Sequence, residues 1–147
     1  MNPTEIAIVS TIATLISSSV AIIVTLIINN RATRKDLDDQ LDTLIKISIE
    51  HPFLEDSGYT TNWVNLDGLN DDHTEYHRYE NYCTLLFNFL ARFCEFYDYN
   101  DTKIHKHLNV KSWIRTHRGA WEKPSIQYEN TDSYHKKFRD LIDSYLK

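Results

Sequence analysis

The sequence predicts an all-α protein in which one N-terminal transmembrane helix continues into a stalk helix and a small cytoplasmic helical domain. Three observations lead to this prediction. One long stretch near the N-terminus is apolar and uncharged, later apolar residues recur at helical spacing, and the 147 residues include only three glycines and three prolines. We therefore divide the chain into a transmembrane helix (1–30), a stalk (31–51) and a cytoplasmic ligand-binding domain (52–147).

The transmembrane prediction comes from the stretch between Ile6 and Ile28, which contains no charge, no proline and no glycine. As a helix it is about 34 Å long at about 1.5 Å per residue, and the hydrocarbon core of a membrane is about 30 Å thick. A cleaved signal peptide is the main alternative, but the basic n-region is missing and the apolar run is too long. We expect a single span.

The charges beside the span predict its orientation. Glu5 precedes it, whereas Arg31, Arg34 and Lys35 follow it closely. Because basic flanks stay in the cytoplasm, we expect residues 31–147 to be cytoplasmic and the N-terminus to lie outside.

Small residues recur along the span at intervals of three and four. The stripe consists of Ala7, Ser10, Thr14, Ser17 and Ala21, together with Thr11, Ser18 and Thr25, which recur every seven residues beside them. Such a stripe permits close packing of helices and hydrogen bonds between them. The alternative is that the hydroxyls bond back to their own helix and indicate no partner. Because the chain has no second span, packing on this stripe predicts association with another copy.

The stalk and the segment after it are predicted from periodicity and from turn residues. Residues 31–50 continue as a helix with an apolar stripe, and Pro52 ends it by disfavouring helix at His51. Residues 52–72 contain Gly and Asn repeatedly and read as a loop that lies against the core.

The core of the domain is predicted to be a helix over residues 73–98. Its C-terminal half is apolar on nearly every face, more than a monomer of this size easily covers, which again indicates contact between subunits. Cys83 and Cys94 are too far apart on this helix to form a disulfide, and a cytoplasmic location agrees with two buried thiols. Further on, Asn109 caps a helix over 110–120, and Thr131 or Asp132 caps a final amphipathic helix.

Charge divides the cytoplasmic part sharply. Residues 36–101 hold fifteen acidic and three basic residues, whereas residues 102–123, which we call the basic segment, hold six basic residues and one acidic residue. Guanidinium groups and an indole side by side suit a phosphate-bearing aromatic ligand. The candidate ligand-binding residues are Lys111, Arg115, His117, Arg118 and Trp121, with Asn62 and Trp63 as a second location.

Two alternatives remain for the basic segment. Its side chains pair with the acidic part of the same chain or of a neighbour, or they contact lipid headgroups. DNA and RNA are poor candidates as partners because the net charge of the chain is −5.

Catalytic motifs are missing. The sequence contains no Walker loop, HExxH, GxSxG or CxxC pattern, and no nucleophile has an evident base beside it. His73 and His77 are spaced to share a metal ion, but no third ligand is evident. We therefore expect a protein that is not an enzyme and has no metal and no cofactor.

Three blocks, SIEHPFLEDSGYTTNW, RYENYCTLLFNFLARFCEFY and VKSWIRTHRGAWEKP, resemble a group of small single-pass bacterial membrane proteins. One branch of the group is the membrane effector of type III CRISPR antiviral systems, which responds to cyclic tetra-adenylate. The resemblance implies an oligomeric helical domain that binds a cyclic oligoadenylate, with a tetramer favoured, and a span in the bacterial inner membrane that carries out the effect. The alternative function is a membrane-tethered protein-interaction module without a small-molecule ligand.

The orientation gives the first testable prediction. A reporter that is active only in the cytoplasm should be active when it is fused after Lys147, and a reporter that is active only in the periplasm should be silent. The opposite pattern would reverse the predicted topology.

Overall fold

A computed structural model of the chain describes residues 2–63, 74–122 and 131–147, and within the first helix it leaves out the side chains of residues 5–9 and 12–13. The predicted all-α class is confirmed, since these ranges contain helices and no strand. The α-helices they contain are α1 (Pro3–Glu50), α2 (Ser57–Asn62), α3 (Thr74–Phe96), α4 (Asp101–His107), α5 (Val110–Thr116), α6 (Arg118–Glu122) and α7 (Lys136–Leu146). Short 3₁₀ helices occupy Pro52–Glu55 and Thr131–Ser133.

The chain separates into two compact units, Met1–Asp39 and Gln40–Lys147. The finer division into 1–30, 31–51 and 52–147 stays a prediction.

The first unit consists of α1 residues, and this helix is long and apolar enough to cross a membrane. In the stretch Thr14–Glu50, no residue of the most apolar window is buried. Large apolar side chains stand open to their surroundings, for example Leu15, Ile22 and Ile28. A helix that exposes such residues on every side needs an apolar environment.

Hydroxyl groups of the span bond to carbonyl groups one turn back in the same helix. Thr14 donates to the carbonyl of Ser10, Ser18 to that of Thr14, and Thr25 to that of Ala21, each at 2.9 Å. In the single chain these hydroxyls are therefore satisfied within the helix, as the alternative interpretation of the stripe expects. Association of the span with another copy stays a prediction and depends on close packing rather than on these hydrogen bonds.

In the second unit, α3 forms the centre of the core. Its fully buried side chains include Tyr79, Leu86, Leu90 and Cys94, each of which is 0% exposed. The prediction of a buried core helix is confirmed, and both cysteines are free and buried. The sequence predicted that α3 would expose more apolar surface than it does. Among the described residues of α3, Leu85 is the large apolar side chain that remains exposed.

The end of α1 agrees with the sequence prediction, but the segment after it does not. The helix ends at Glu50, before His51 and Pro52. The predicted loop is wrong for residues 52–62, which form a 3₁₀ helix and then α2. The missed signal is Asp56, whose carboxylate accepts a hydrogen bond from the backbone N–H of Tyr59 at 2.8 Å and caps α2. The rest of the predicted loop, 64–72, lies outside the described residues.

The predicted helix over 110–120 is in fact two helices. Asn109 caps α5 as expected, with its side chain accepting from the N–H of Ser112 at 3.2 Å. At His117 the backbone leaves the helical region (φ −102°, ψ 24°), and α6 begins at the next residue. Gly119 brings α6 close to α2, since a Cβ there would lie 3.1 Å from Trp63 Nε1.

The final helix begins later than predicted. Its N-cap is His135, whose Nδ1 accepts from the N–H of Lys137 at 3.2 Å, and neither Thr131 nor Asp132 caps it. The carboxylate of Asp132 instead pairs with Arg139 at 2.5 Å. The predicted apolar stripe is present, since Phe138, Ile142 and Tyr145 are buried.

Candidate functional site

The basic side chains of α5 and α6 are turned towards the C-terminal turn of α7. Arg115 Nε donates to the carbonyl of Tyr145 at 3.1 Å, and Arg118 Nη1 donates to that of Leu146 at 3.4 Å. Lys111 Nζ lies 5.7 Å from the centre of the Tyr145 ring. The last carbonyl groups of a helix lack partners and carry partial negative charge. Three of the candidate ligand-binding residues thus stabilise the end of α7.

Arg118 has a second partner in its own helix. Its guanidinium pairs with Glu122 at 2.8 Å, one turn away. This ion pair is exposed, so it contributes little to stability. It does match the alternative in which the basic segment pairs with acids of its own chain, although the acid lies within the segment itself.

Trp121 is a core residue in this structure. It is 7% exposed, and its ring centre lies 5.1 Å from that of Phe87, 5.7 Å from Tyr134 and 6.0 Å from Phe138. An indole enclosed by three rings offers little surface for stacking on a ligand.

His117 is completely buried where α5 meets α6. Its Nδ1 lies 3.0 Å from the hydroxyl of Tyr79 and 3.9 Å from Cys83 Sγ. Its Nε2 lies 3.4 Å from Glu55 Oε1, within ion-pair range but without hydrogen-bond geometry. The hydroxyl of Tyr82 donates to the same Glu55 oxygen. We call these five residues the His117 cluster.

The cluster changes the acidity of its members. Burial alone would raise the pKa of Glu55, but the neighbouring His117 and the hydrogen bond from Tyr82 outweigh it, so this pKa lies below its ordinary value of 4.5. Burial, with the Glu55 charge, raises the pKa of both Tyr79 and Tyr82. These hydroxyls therefore stay protonated, and that of Tyr82 donates to Glu55.

The cluster contains a thiol, an imidazole and a carboxylate, which is the residue set of a nucleophilic enzyme. However, His117 is 0% exposed, Cys83 is 3% exposed and Tyr79 is 0% exposed. A substrate has no access to these groups, so the arrangement is structural.

Asn62 and Trp63, the second candidate location, differ in exposure. The side chain of Asn62 is exposed and donates to the carbonyl of Gly58 at 2.9 Å. Trp63 is 2% exposed and packs between Tyr76 and Tyr79, and its Nε1 has no hydrogen-bond partner among the described residues.

The structure brings two of the predicted residues into one surface pocket. A cavity of about 450 Å³ is lined by Arg118, Trp121, Glu122, Asp143, Leu146 and Lys147. Two cations face two carboxylates there, so the pocket has no excess of positive charge for an anion. Whether the candidate residues bind a ligand stays a prediction.

A second groove was missed by the sequence analysis. It has a volume of about 440 Å³ and lies between the last turn of α1 and the N-terminal half of α3. Its lining includes Ile47, His51, His77, Arg78, Tyr82 and Leu85. The sequence contains one indication of this groove: Arg78 is one of only three basic residues between residues 36 and 101.

The described residues offer no metal site. Among the residues that the structure describes, no group of three His, Cys, Asp or Glu side chains is placed to hold a metal ion. The candidate pair of His73 and His77 is only half described, because His73 lies outside those residues.

Comparison with known proteins gives no relative. No protein-family model, no curated protein and no solved structure matches the chain.

The packing of Trp121 gives a stability prediction. Replacing this core indole by alanine should lower the free energy of unfolding by about 3–5 kcal/mol, because a large cavity would remain between three rings. Chemical denaturation of the full chain in detergent measures this loss. Replacing the nearby Arg118 by alanine should change it by less than about 1 kcal/mol. A stable Trp121→Ala variant would mean that the indole is free to contact a ligand.

The lowered pKa of Glu55 predicts how stability depends on pH. As the pH falls below about 4.5, the Glu55 carboxylate takes up a proton more readily in the unfolded chain than in the folded chain. The stabilisation from ionised Glu55 is therefore present above that pH and lost as the pH falls through the folded-state pKa. Between pH 6 and pH 3 the wild type should lose more stability than Glu55→Gln does. The exposed Glu95→Gln variant should follow the wild type, and equal slopes for all three proteins would contradict the prediction.

Proposed function

We propose that this chain is a non-enzymatic membrane effector of bacterial antiviral defence. Its cytoplasmic helical domain binds a cyclic oligoadenylate as a homo-oligomer, with a tetramer favoured, and its transmembrane helix acts on the membrane. The identity of the ligand comes from the resemblance of the three sequence blocks to the membrane effector of type III CRISPR systems.

The observation that carries the proposal is the state of α1. This helix is long and apolar enough to span a membrane, and its most apolar window is entirely unburied. An exposed apolar helix attached to a separately compact unit, Gln40–Lys147, has the organisation of a membrane-anchored receptor domain. Arg31, Arg34 and Lys35 favour a cytoplasmic location for that unit, and hence the inner membrane with the N-terminus outside.

The His117 cluster supports a role without catalysis. Its thiol and its imidazole lie 3.9 Å apart, and both are buried. The effect on the cell would then come from the membrane helices, as the resemblance implies.

Reconstituted vesicles test the proposal. The full chain is inserted into dye-loaded vesicles, and cyclic tetra-adenylate is added while dye release and membrane potential are recorded. We expect a dose-dependent response that linear oligoadenylate of the same length does not produce. Calorimetry on the same protein in detergent should show saturable binding. Absence of both binding and response would overturn the proposal.

A variant of the span separates binding from the membrane effect. The double substitution Thr14→Leu and Ser18→Leu fills the small-residue stripe and should weaken close packing of the helices. The variant should bind cyclic tetra-adenylate as the wild type does and release less dye. A response equal to that of the wild type would show that the stripe is incidental.

A second function, a membrane-tethered protein-interaction module, is favoured by one specific observation. Arg115 and Arg118, the strongest anion-binding candidates of the basic segment, are engaged within the domain. In this case the chain would not bind cyclic tetra-adenylate, and a partner protein would take the place of the nucleotide.

A further inference from the structure

We propose that the groove between α1 and α3 is the site that holds the phosphate group of a nucleotide, with Arg78 as its anchor. The groove is distinct from the basic segment. The inference rests on the proposed function for the choice of a cyclic oligoadenylate as the nucleotide, whereas the phosphate-binding chemistry follows from the groove itself.

The main argument is the state of Arg78. The structure describes two half-buried arginines, and one of them, Arg139, pairs with Asp132 at 2.5 Å. Arg78 has no hydrogen bond or ion pair with any described residue. Partial burial of an unpaired guanidinium is costly, and an anion in the groove would remove that cost. The planar fork of an arginine binds a phosphate through two parallel hydrogen bonds.

Two histidines lie in the same lining and can complete a phosphate site. His77 Nδ1 is 3.1 Å from Glu80 Oε2, and this contact orients the ring. The carboxylate of Glu80 is 4% exposed, so its position is fixed by the core. His51 is half-buried, and its ring contacts that of Phe53 with centres 6.2 Å apart. A neutral imidazole donates one hydrogen bond, so His51 can contact a phosphate without carrying charge. His77 directs its Nδ1–H to Glu80, so it donates to a phosphate from Nε2 only in the protonated form of the ring.

The rest of the groove suits an apolar, aromatic part of a ligand. Ile47 and Leu85 are in the lining, and Leu85 is 51% exposed. A volume of about 440 Å³ falls within the usual range of small-molecule sites, about 300–1,000 Å³, and has room for one nucleotide unit. Histidine rings also stack on nucleobases, so His51 can contribute to either part.

Negative charges near the groove set a limit on the ligand. Glu50 is in the lining, and Glu75 lies one turn before Arg78 on α3. Neither carboxylate comes within ion-pair distance of Arg78. The negative charges of Glu50 and Glu75 repel an anion in the groove. The groove therefore favours an anion that forms the paired hydrogen bonds to the Arg78 guanidinium over one that is held weakly.

The wall of the groove is connected to the His117 cluster. Tyr82 lines the groove, and its hydroxyl donates to Glu55, which faces His117 at 3.4 Å. The same groove is lined by Ile47 of α1. A ligand there would therefore contact the last turn of the helix that begins in the candidate span.

The test compares two arginines of α3 in the full chain held in lipid nanodiscs. Arg78→Gln removes the guanidinium and keeps most of the aliphatic stem, and Arg92→Gln is the matched control on an exposed position of the same helix. The probes are cyclic tetra-adenylate and AMP, titrated by calorimetry. A third variant, Arg115→Gln with Arg118→Gln, tests the basic segment. Thermal unfolding of each variant confirms that it is folded, and Arg78→Lys serves as a second substitution if Arg78→Gln does not fold.

We expect Arg78→Gln to weaken binding about ten- to a hundredfold, because a charged hydrogen bond is lost, and Arg92→Gln to bind as the wild type does. The proposal that the groove binds the phosphate is overturned if folded Arg78 variants bind cyclic tetra-adenylate with unchanged affinity. That outcome leaves the proposed function of the protein standing. Binding of AMP that depends on Arg78, without any binding of cyclic tetra-adenylate, supports the groove and overturns the proposed function. A wild type that binds neither probe overturns both.

Discussion

The second unit depends on the burial of one polar ring, that of His117. A buried imidazole needs partners, and here they come from two different elements, the 3₁₀ helix that contains Glu55 and the helix that contains Tyr79. His117 lies at the point where the backbone leaves the helical region, between α5 and α6. The same break precedes Gly119, where α6 approaches α2, and the buried Trp121.

The packing of the second unit also accounts for two side chains of the basic segment. Arg115 donates to a terminal carbonyl group of α7, and Arg118 donates to another of these carbonyl groups and pairs with Glu122. Arg78, by contrast, has no hydrogen bond or ion pair with any described residue, although it lies between residues 36 and 101, where only three residues are basic. Local charge density in a sequence therefore does not by itself indicate which cations are engaged within the fold.

Much of the fold was predictable because it depends on periodic apolar residues. The span, the core helix α3 and the stripe of α7 all extend over several turns, and their patterns are strong. The short elements were not predictable in the same way. The 3₁₀ helix before Asp56 and the six-residue α2 each contain fewer than two helical turns, which is too short for a repeated apolar pattern. Asp132 resembles a cap until its pairing with Arg139 is seen. The groove could not be predicted because its walls come from segments about thirty residues apart.

The two cysteines have a practical consequence for experiments on this chain. Both thiols are buried, and burial raises the pKa of Cys94 to about 12, so this side chain is protonated and unreactive at neutral pH. A cysteine introduced at an exposed position, such as Ile49, would therefore react with maleimide or nitroxide reagents far faster than the native ones. Site-directed spin labelling can thus be applied to the native background, without first replacing two residues that fill the core.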